Sequence, residues 1–350
     1  MSAAFEKVYD SYWYILGKSV TDFEAEYATF SQTRFCVGVS NGLDALYLSL
    51  RALGVGEGDE VIVPSNGYIA TWLAVTFAGA TPVPVEPDVE TYNINPALIA
   101  GVVTSRTKAI IPIHLYGQAG DMTSILSIAE AHGLHVIEDN AQSHGASFKG
   151  RITGSWGIVN ATSFYPGKNL GALGDAGAIT TNDEQIAHKI GVLRNYGSAK
   201  KYYNDVLGHN MRLDELQGAL LSVKLKHLSN WTAQRKELAG WYRDALQGVP
   251  GLVLPHVHPD AEHVYHLFVV RHLRRDELQS HLTEKGIGTM IHYPVTPHLQ
   301  EAYRELGYAK GDFPIAEQLA ATSLSIPLWP GMTREMVEWI SSEIREFCER

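Results

Sequence analysis

The chain has little of what secreted, metal-binding or nucleic-acid-binding proteins are built from. Its only cysteines, Cys36 and Cys348, stand far apart in 350 residues and without metal-ligand spacing. That excludes a disulfide framework and leads us to expect a cytoplasmic protein, with Cys36 a small core residue. No uninterrupted apolar stretch is long enough to span a bilayer, and the N-terminus lacks the basic-then-apolar pattern of a signal peptide, so no membrane partner is expected. Basic residues are outnumbered, 28 Lys and Arg against 38 Asp and Glu, and the resulting formal charge of −10 gives no general attraction for nucleic acid. The 15 histidines are scattered, with His256 and His258 in a Pro-rich turn, and no metal site is expected. Repeats, coiled-coil heptads and collagen-like segments are missing as well.

What is present is enough apolar sequence, 45% of residues, for a sizeable core. Strand-like runs near Phe35, Val61, Val83, Ile111 and Val136 alternate with apolar-periodic stretches from Gly42 to Leu53, Tyr68 to Ala78 and Met122 to His132. This order predicts an α/β fold, a mainly parallel sheet covered by helices on both faces. Long helices from Arg212 to Leu246 lead to Gly248-Val249-Pro250-Gly251, the strongest boundary signal. The expected division is therefore a large domain over 1–248, with the connecting helices, and a smaller α/β domain over 249–350. Within the second, His263 to Val270 and Ile287 to His292 read as strands and Arg275 to Lys285 as a helix. Asn195 to His209, rich in Gly, Lys, Tyr and Asn, reads as a mobile loop beside the site.

Three features carry chemistry. Lys168 lies in a glycine-rich loop, Ser163 to Gly177, between two strand-like runs, where a lysine of lowered pKa can form a Schiff base with an aldehyde; alternatively it is one more solvated charge. Asp139 follows the apolar run Val136-Ile137, at the strand end that faces the ligand crevice in open α/β sheets. A carboxylate there can keep a pyridine nitrogen protonated, or simply cap a turn. Ser40-Asn41-Gly42-Leu43-Asp44 opens a helix whose first amides form an anion site, although capping alone also explains it.

Taken with Gly58 to Ser65, Tyr68-Ile69-Ala70-Thr71-Trp72 and Glu138 to Gln142, these segments resemble the DegT/DnrJ/EryC1/StrS sugar aminotransferases over nearly the whole chain. The resemblance implies a fold-type I enzyme using pyridoxal 5'-phosphate. By position, Lys168 would be the Schiff-base lysine and proton shuttle, Asp139 the partner of the pyridinium nitrogen, Gln142 the neighbour of the ring 3-oxygen and Tyr68 the stacking aromatic. Gly42, Leu43 and Ser163 would hold the phosphate, joined by Asn210 from a neighbouring subunit, so that a homodimer shares its active sites. His114, Tyr116, His292 and Tyr293 are expected to line the sugar pocket, with core hydrogen bonding as the plain alternative. Glu138 has no role in this scheme. Ala176 stands where the family often has glycine, which matters only if the backbone there needs positive φ.

The loop Phe164 to Asp175 most resembles enzymes that move an amino group from L-glutamate to C3 of a nucleotide-linked, dTDP by expectation, 3-keto-6-deoxyhexose. The alternatives are a 4-keto sugar, a UDP-2-acetamido-3-keto-uronic acid, or a non-catalytic regulatory protein on the same scaffold. Members that dehydrate their sugar have histidine at the lysine position, so Lys168 disfavours that reaction.

Overall fold

Short runs of β-branched residues bounded by Gly, Pro and Asp set the strands, and polar caps set the helix starts. The computed structural model describes residues 1–350. Helices α1 (Ser2–Ser11) and α2 (Lys18–Phe30) precede β1 (Phe35–Val39), α3 (Gly42–Ala52), β2 (Glu60–Pro64), α4 (Ala70–Phe77) and β3 (Thr81–Val85). Then come β4 (Thr107–Ile110), α5 (Met122–His132), β5 (His135–Asp139), β6 (Val159–Ser163), β7 (Gly177–Thr181) and α6 (Glu184–Leu193). After α7 (Glu215–Leu225) and α8 (Leu228–Leu246), the chain ends with β8 (Phe268–Arg271), α9 (Arg275–Glu284), α10 (Pro314–Thr322), β9 (Ser323–Ile326) and α11 (Arg334–Cys348). No helix is long and apolar enough to cross a membrane.

Seven strands form one sheet in the order β1-β7-β6-β5-β4-β2-β3. Only β7 runs against its neighbours, pairing antiparallel with both β1 and β6. Both faces are covered, as the alternation along β2 makes plain: Val61 and Val63 join one apolar cluster, Ile62 the opposite one. Full burial of each such side chain contributes about 1.5–3 kcal/mol. A further core, from Leu238 to Phe347, packs α8, α9 and α11 around the β8-β9 pair, so the second half of α8 packs with the C-terminal elements.

Two expected strands differ. Of His263 to Val270, only the part from Phe268 onward pairs, with β9. Tyr265 has a φ of 47°, in the left-handed region, and the amides of Val264 and Leu267 donate to the carbonyls of Gly117 and Tyr116 instead of to a strand. Ile287 to His292 makes a single bridge, Met290 to Ser325, because the Ile287 amide turns back to close α9 on the carbonyl of Leu282. The first segment packs against the Tyr116-Gly117 turn beside the main sheet, and the second touches the small sheet at that one bridge only.

The topology gathers Ser40, Ser65, Glu86, Asp139 and Phe164 just beyond or at the C-terminal ends of the parallel strands. Because β7 is reversed, its first residue Gly177 reaches the same edge, opposite both Val39 and Ser163. A Cβ on Gly177 would meet the Asn41 carbonyl oxygen at 2.4 Å, which is why glycine is required there. Ala176 is buried and is not among the residues with positive φ, so its methyl is accommodated.

Candidate active site

The loop from β6 to β7 folds on itself: the Phe164 amide donates to the Ala176 carbonyl, and the Ala172 amide to the Phe164 carbonyl. A turn from the Lys168 amide to the Tyr165 carbonyl, 2.8 Å, presents the lysine. Burial pushes its ammonium down to about 8, and the nearby Asp139 carboxylate opposes the shift. Three imidazoles share the neighbourhood, none of them assigned a cofactor role by sequence. His144 is driven to about 3 and His292 to about 4, His266 well below its ordinary value, each by burial first and Lys168 second. They are neutral at physiological pH, so Lys168 is the titrating group among them.

Asp139 ends β5 and is buried. Its Oδ2 accepts from Thr71 Oγ1 at 2.7 Å and its Oδ1 from the Ala141 amide at 3.1 Å, which fixes the carboxylate plane. Gln142 is held at both ends of its amide: Oε1 accepts from the Tyr116 amide at 2.8 Å, and Nε2 donates to the Tyr293 hydroxyl at 3.2 Å. Tyr116 donates its own hydroxyl to the His292 carbonyl. The rings of Tyr68 and Tyr293 lie 5.2 Å apart between centroids, tilted by 39°. Tyr68, Tyr116, Gln142, His292 and Tyr293 thus come together with Lys168 and Asp139 through direct contacts and charge interactions.

His114 does not join them. It is fully buried, its Nδ1 accepting from the Gly120 amide at 3.1 Å and its Nε2–H donating to Glu138 at 2.7 Å, so both ring nitrogens are used within the fold. The expected substrate contact is replaced by core hydrogen bonding. Glu138, in turn, is no bystander: its fully buried carboxylate also accepts from the amides of Gly154, Trp156 and Gly157. Side chains alternate along β5, so Glu138 and Asp139 point to opposite faces. One anchors the fold and the other borders the lysine.

At the start of α3, Asn41 caps the Asp44 amide at 2.8 Å, while Ser40 and Asn41 both donate to the Asp44 carboxylate. The loop's polar side chains are therefore occupied. The amides of Gly42 and Leu43 precede the first intrahelical bond, from Ala45 to Asn41, and the helix dipole adds positive potential there. A Cβ at Gly42 would lie 2.6 Å from Ser163 Cβ, so glycine brings this helix start against Ser163. Asn210 is exposed, in a bridge with Asn195, and forms no side-chain hydrogen bond to the other candidates of its own chain. Thr71 and His144 were within reach of the sequence, in the quoted Tyr68 to Trp72 motif and two residues beyond Gln142. His266 was hidden in a segment read as strand.

Residues 1–345 match the sequence model of the DegT/DnrJ/EryC1/StrS aminotransferase family. The chain is 52% identical over 344 residues to dTDP-3-amino-3,6-dideoxy-alpha-D-galactopyranose transaminase of Aneurinibacillus thermoaerophilus, covering 98% of this chain and 94% of that protein. It is 49% identical over 348 residues to dTDP-3-amino-3,4,6-trideoxy-alpha-D-glucose transaminase of Streptomyces venezuelae, covering 99% and 92%. The crystal structure of S. venezuelae DesV in complex with a ketimine intermediate superposes with a TM-score of 0.98 at 48% identity, over 100% of this chain and 94% of that one.

Proposed function

The chain belongs to the DegT/DnrJ/EryC1/StrS aminotransferase family, and from that premise we propose that it transfers an amino group from L-glutamate to C3 of a dTDP-linked 3-keto-6-deoxyhexose. The family uses pyridoxal 5'-phosphate. The observation that carries the reading is that Lys168, lowered to about 8, lies within charge range of the Asp139 carboxylate at the C-terminal ends of the parallel strands. The relatives named for C3-amino dTDP-sugars, both aligned over nearly their full length, support the choice of sugar.

When bound, the cofactor supplies an aldehyde to take up the amino group and a ring that withdraws electrons from the reacting carbon. The residues present fit it. Asp139, oriented by Thr71, would accept from the protonated ring nitrogen. The Gly42 and Leu43 amides and the Ser163 hydroxyl would hold the phosphate at the start of α3, and Tyr68 would cover one ring face. Lys168 would hold the cofactor at rest and then, as a free amine, take and return the proton between substrate and cofactor carbons. A pKa near 8 leaves on the order of a tenth of it neutral at pH 7, against less than a thousandth for an ordinary lysine. The neutral His144, His266 and His292 spare this proton a competing charge.

Tyr12, Trp13, Tyr202 and Leu207 are exposed on the single chain, apolar area that a second copy would cover in the homodimer we propose. Asn210 of that copy would complete the phosphate site.

The test is spectroscopic. Glutamate should bleach the cofactor's visible band, and a dTDP-3-keto-6-deoxyhexose should restore it. Restoration by a 4-keto sugar or a UDP-linked uronic acid in its place would overturn the substrate, and failure of glutamate beside another active amino acid would overturn the donor.

Asp139 and Glu138 give opposite expectations. Asp139→Asn should keep the melting temperature within a few degrees but release the cofactor readily and slow both half-reactions. Glu138→Gln should instead lower the melting temperature, because an amide NH2 then faces N–H donors, and each buried group left unsatisfied costs about 1–3 kcal/mol. Cofactor dialysis and thermal unfolding of the two variants read this directly, and an Asp139→Asn protein that holds its cofactor normally would remove Asp139 from the ring nitrogen.

A further inference from the structure

Helix α10 starts at Phe313-Pro314-Ile315-Ala316 with no Ser, Thr, Asp or Asn in the capping position, and Phe313 supplies no side-chain cap. Pro314 has no N–H, and the Glu317 amide already bonds the Phe313 carbonyl at 3.0 Å. Two orphan amides remain, those of Ile315 and Ala316. Both are taken by one carboxylate from far away in the chain: Glu86 Oε1 accepts from Ile315 at 2.7 Å and Oε2 from Ala316 at 3.0 Å. Glu86 directly follows β3, and its Oε2 also accepts from Ser65 Oγ at 3.0 Å, just past β2. One side chain thus joins the strand ends of the main sheet to a helix of the C-terminal region, with the helix dipole favouring its charge.

What it joins are the two walls of a cleft. Asn66 and Gly67 lie on the Ser65 side; Ala316, Leu319 and Ala320 of α10 form the other, with His292 and Tyr293 between. α10 runs straight into β9, whose Ser325 bonds His292 Nδ1 at 2.8 Å and bridges Met290. The position of α10 therefore sets the loop that carries Tyr293. Tyr116, His292 and Tyr293, the residues expected at the sugar pocket, line this cleft, and Lys168 and Asp139 do not.

We propose that Glu86 is a positioning residue that latches α10 to the ends of β2 and β3 and so fixes the width of the substrate cleft. The proposal rests on the aminotransferase reading for its kinetic consequence and on geometry alone for the latch. Glu86→Gln keeps the length of the side chain while turning one acceptor into a donor that faces an N–H. In the holoenzyme, amide hydrogen exchange at Ile315 and Ala316, and along residues 292–296, should speed up about tenfold. Cofactor retention and the half-reaction with the amino donor should stay as in wild type, while kcat/KM for the keto-sugar falls about 10–100-fold, mostly through KM. Ser65→Ala, which loosens one arm only, should move the same quantities less.

A merely structural glutamate would lower the melting temperature and slow both half-reactions together, and that result overturns the proposal. So does unchanged exchange at Ile315 and Ala316, or faster exchange with wild-type kinetics. If the wild-type enzyme turns over none of the sugars, the functional reading fails, and exchange at Ile315, Ala316 and 292–296 alone decides the latch.

Discussion

A Lys168→Ala enzyme should bind pyridoxamine phosphate and lose turnover by about three orders of magnitude or more, since positioned proton transfer alone contributes about 10²–10⁴-fold and no second amine is available to take it over. His144, His266 and His292 are the nearest bases, but burial holds each in its neutral form with a depressed pKa, which makes them poor proton acceptors. Loss of activity must be separated from loss of fold, and the lysine's own titration does this. Its pKa is about 8 in the fold against about 10.4 unfolded, so the buried ammonium costs stability below pH 8 and that cost is relieved as pH rises toward 10.4. In the cofactor-free proteins, wild type should therefore gain on Lys168→Ala between pH 8 and 10. Near-normal turnover in the variant would remove Lys168 from the reaction, and a stability difference flat in pH would mean that its ammonium is better solvated than its surroundings imply.

The lysine and its carboxylate are legible in the sequence because both stand where a strand stops, and a strand end is a local signal: Val136-Ile137 before Glu138-Asp139, and Val159 to Ser163 before the glycine-rich loop. The choice between Glu138 and Asp139 followed from the family resemblance, and the structure supplies its physical reason, since consecutive residues of a strand face opposite ways. What the sequence hides is long-range. His114 looked like a pocket residue until Glu138 and Gly120 were found to use both its nitrogens. The apolar run from His263 to Val270 has strand composition, but its first half spends its amides on Tyr116 and Gly117, about 150 residues away, and becomes a cover over the site.

The shared site proposed for Asn210 carries the second large effect: Asn210 is exposed and its side chain forms no hydrogen bond to the other phosphate candidates in its own chain. Suppose that it serves the neighbouring subunit. Asn210→Ala and Lys168→Ala homodimers should then each be nearly inactive, the first for want of a phosphate ligand and the second for want of the amine. Mixed in equal amounts and allowed to exchange subunits, they should form heterodimers in which two-fold symmetry places both defects in one site and neither in the other. Each heterodimer then has one intact site and recovers about half the activity of a wild-type dimer, whereas a random mixture contains about one half heterodimers and so reaches about a quarter overall. The recovery should appear at the rate of subunit exchange, followed independently with labelled chains. If exchange is complete and no activity returns, Asn210 acts within its own chain, because then the Asn210→Ala subunit is defective in its own site and the Lys168→Ala subunit in the other, and no arrangement of the two leaves an intact site.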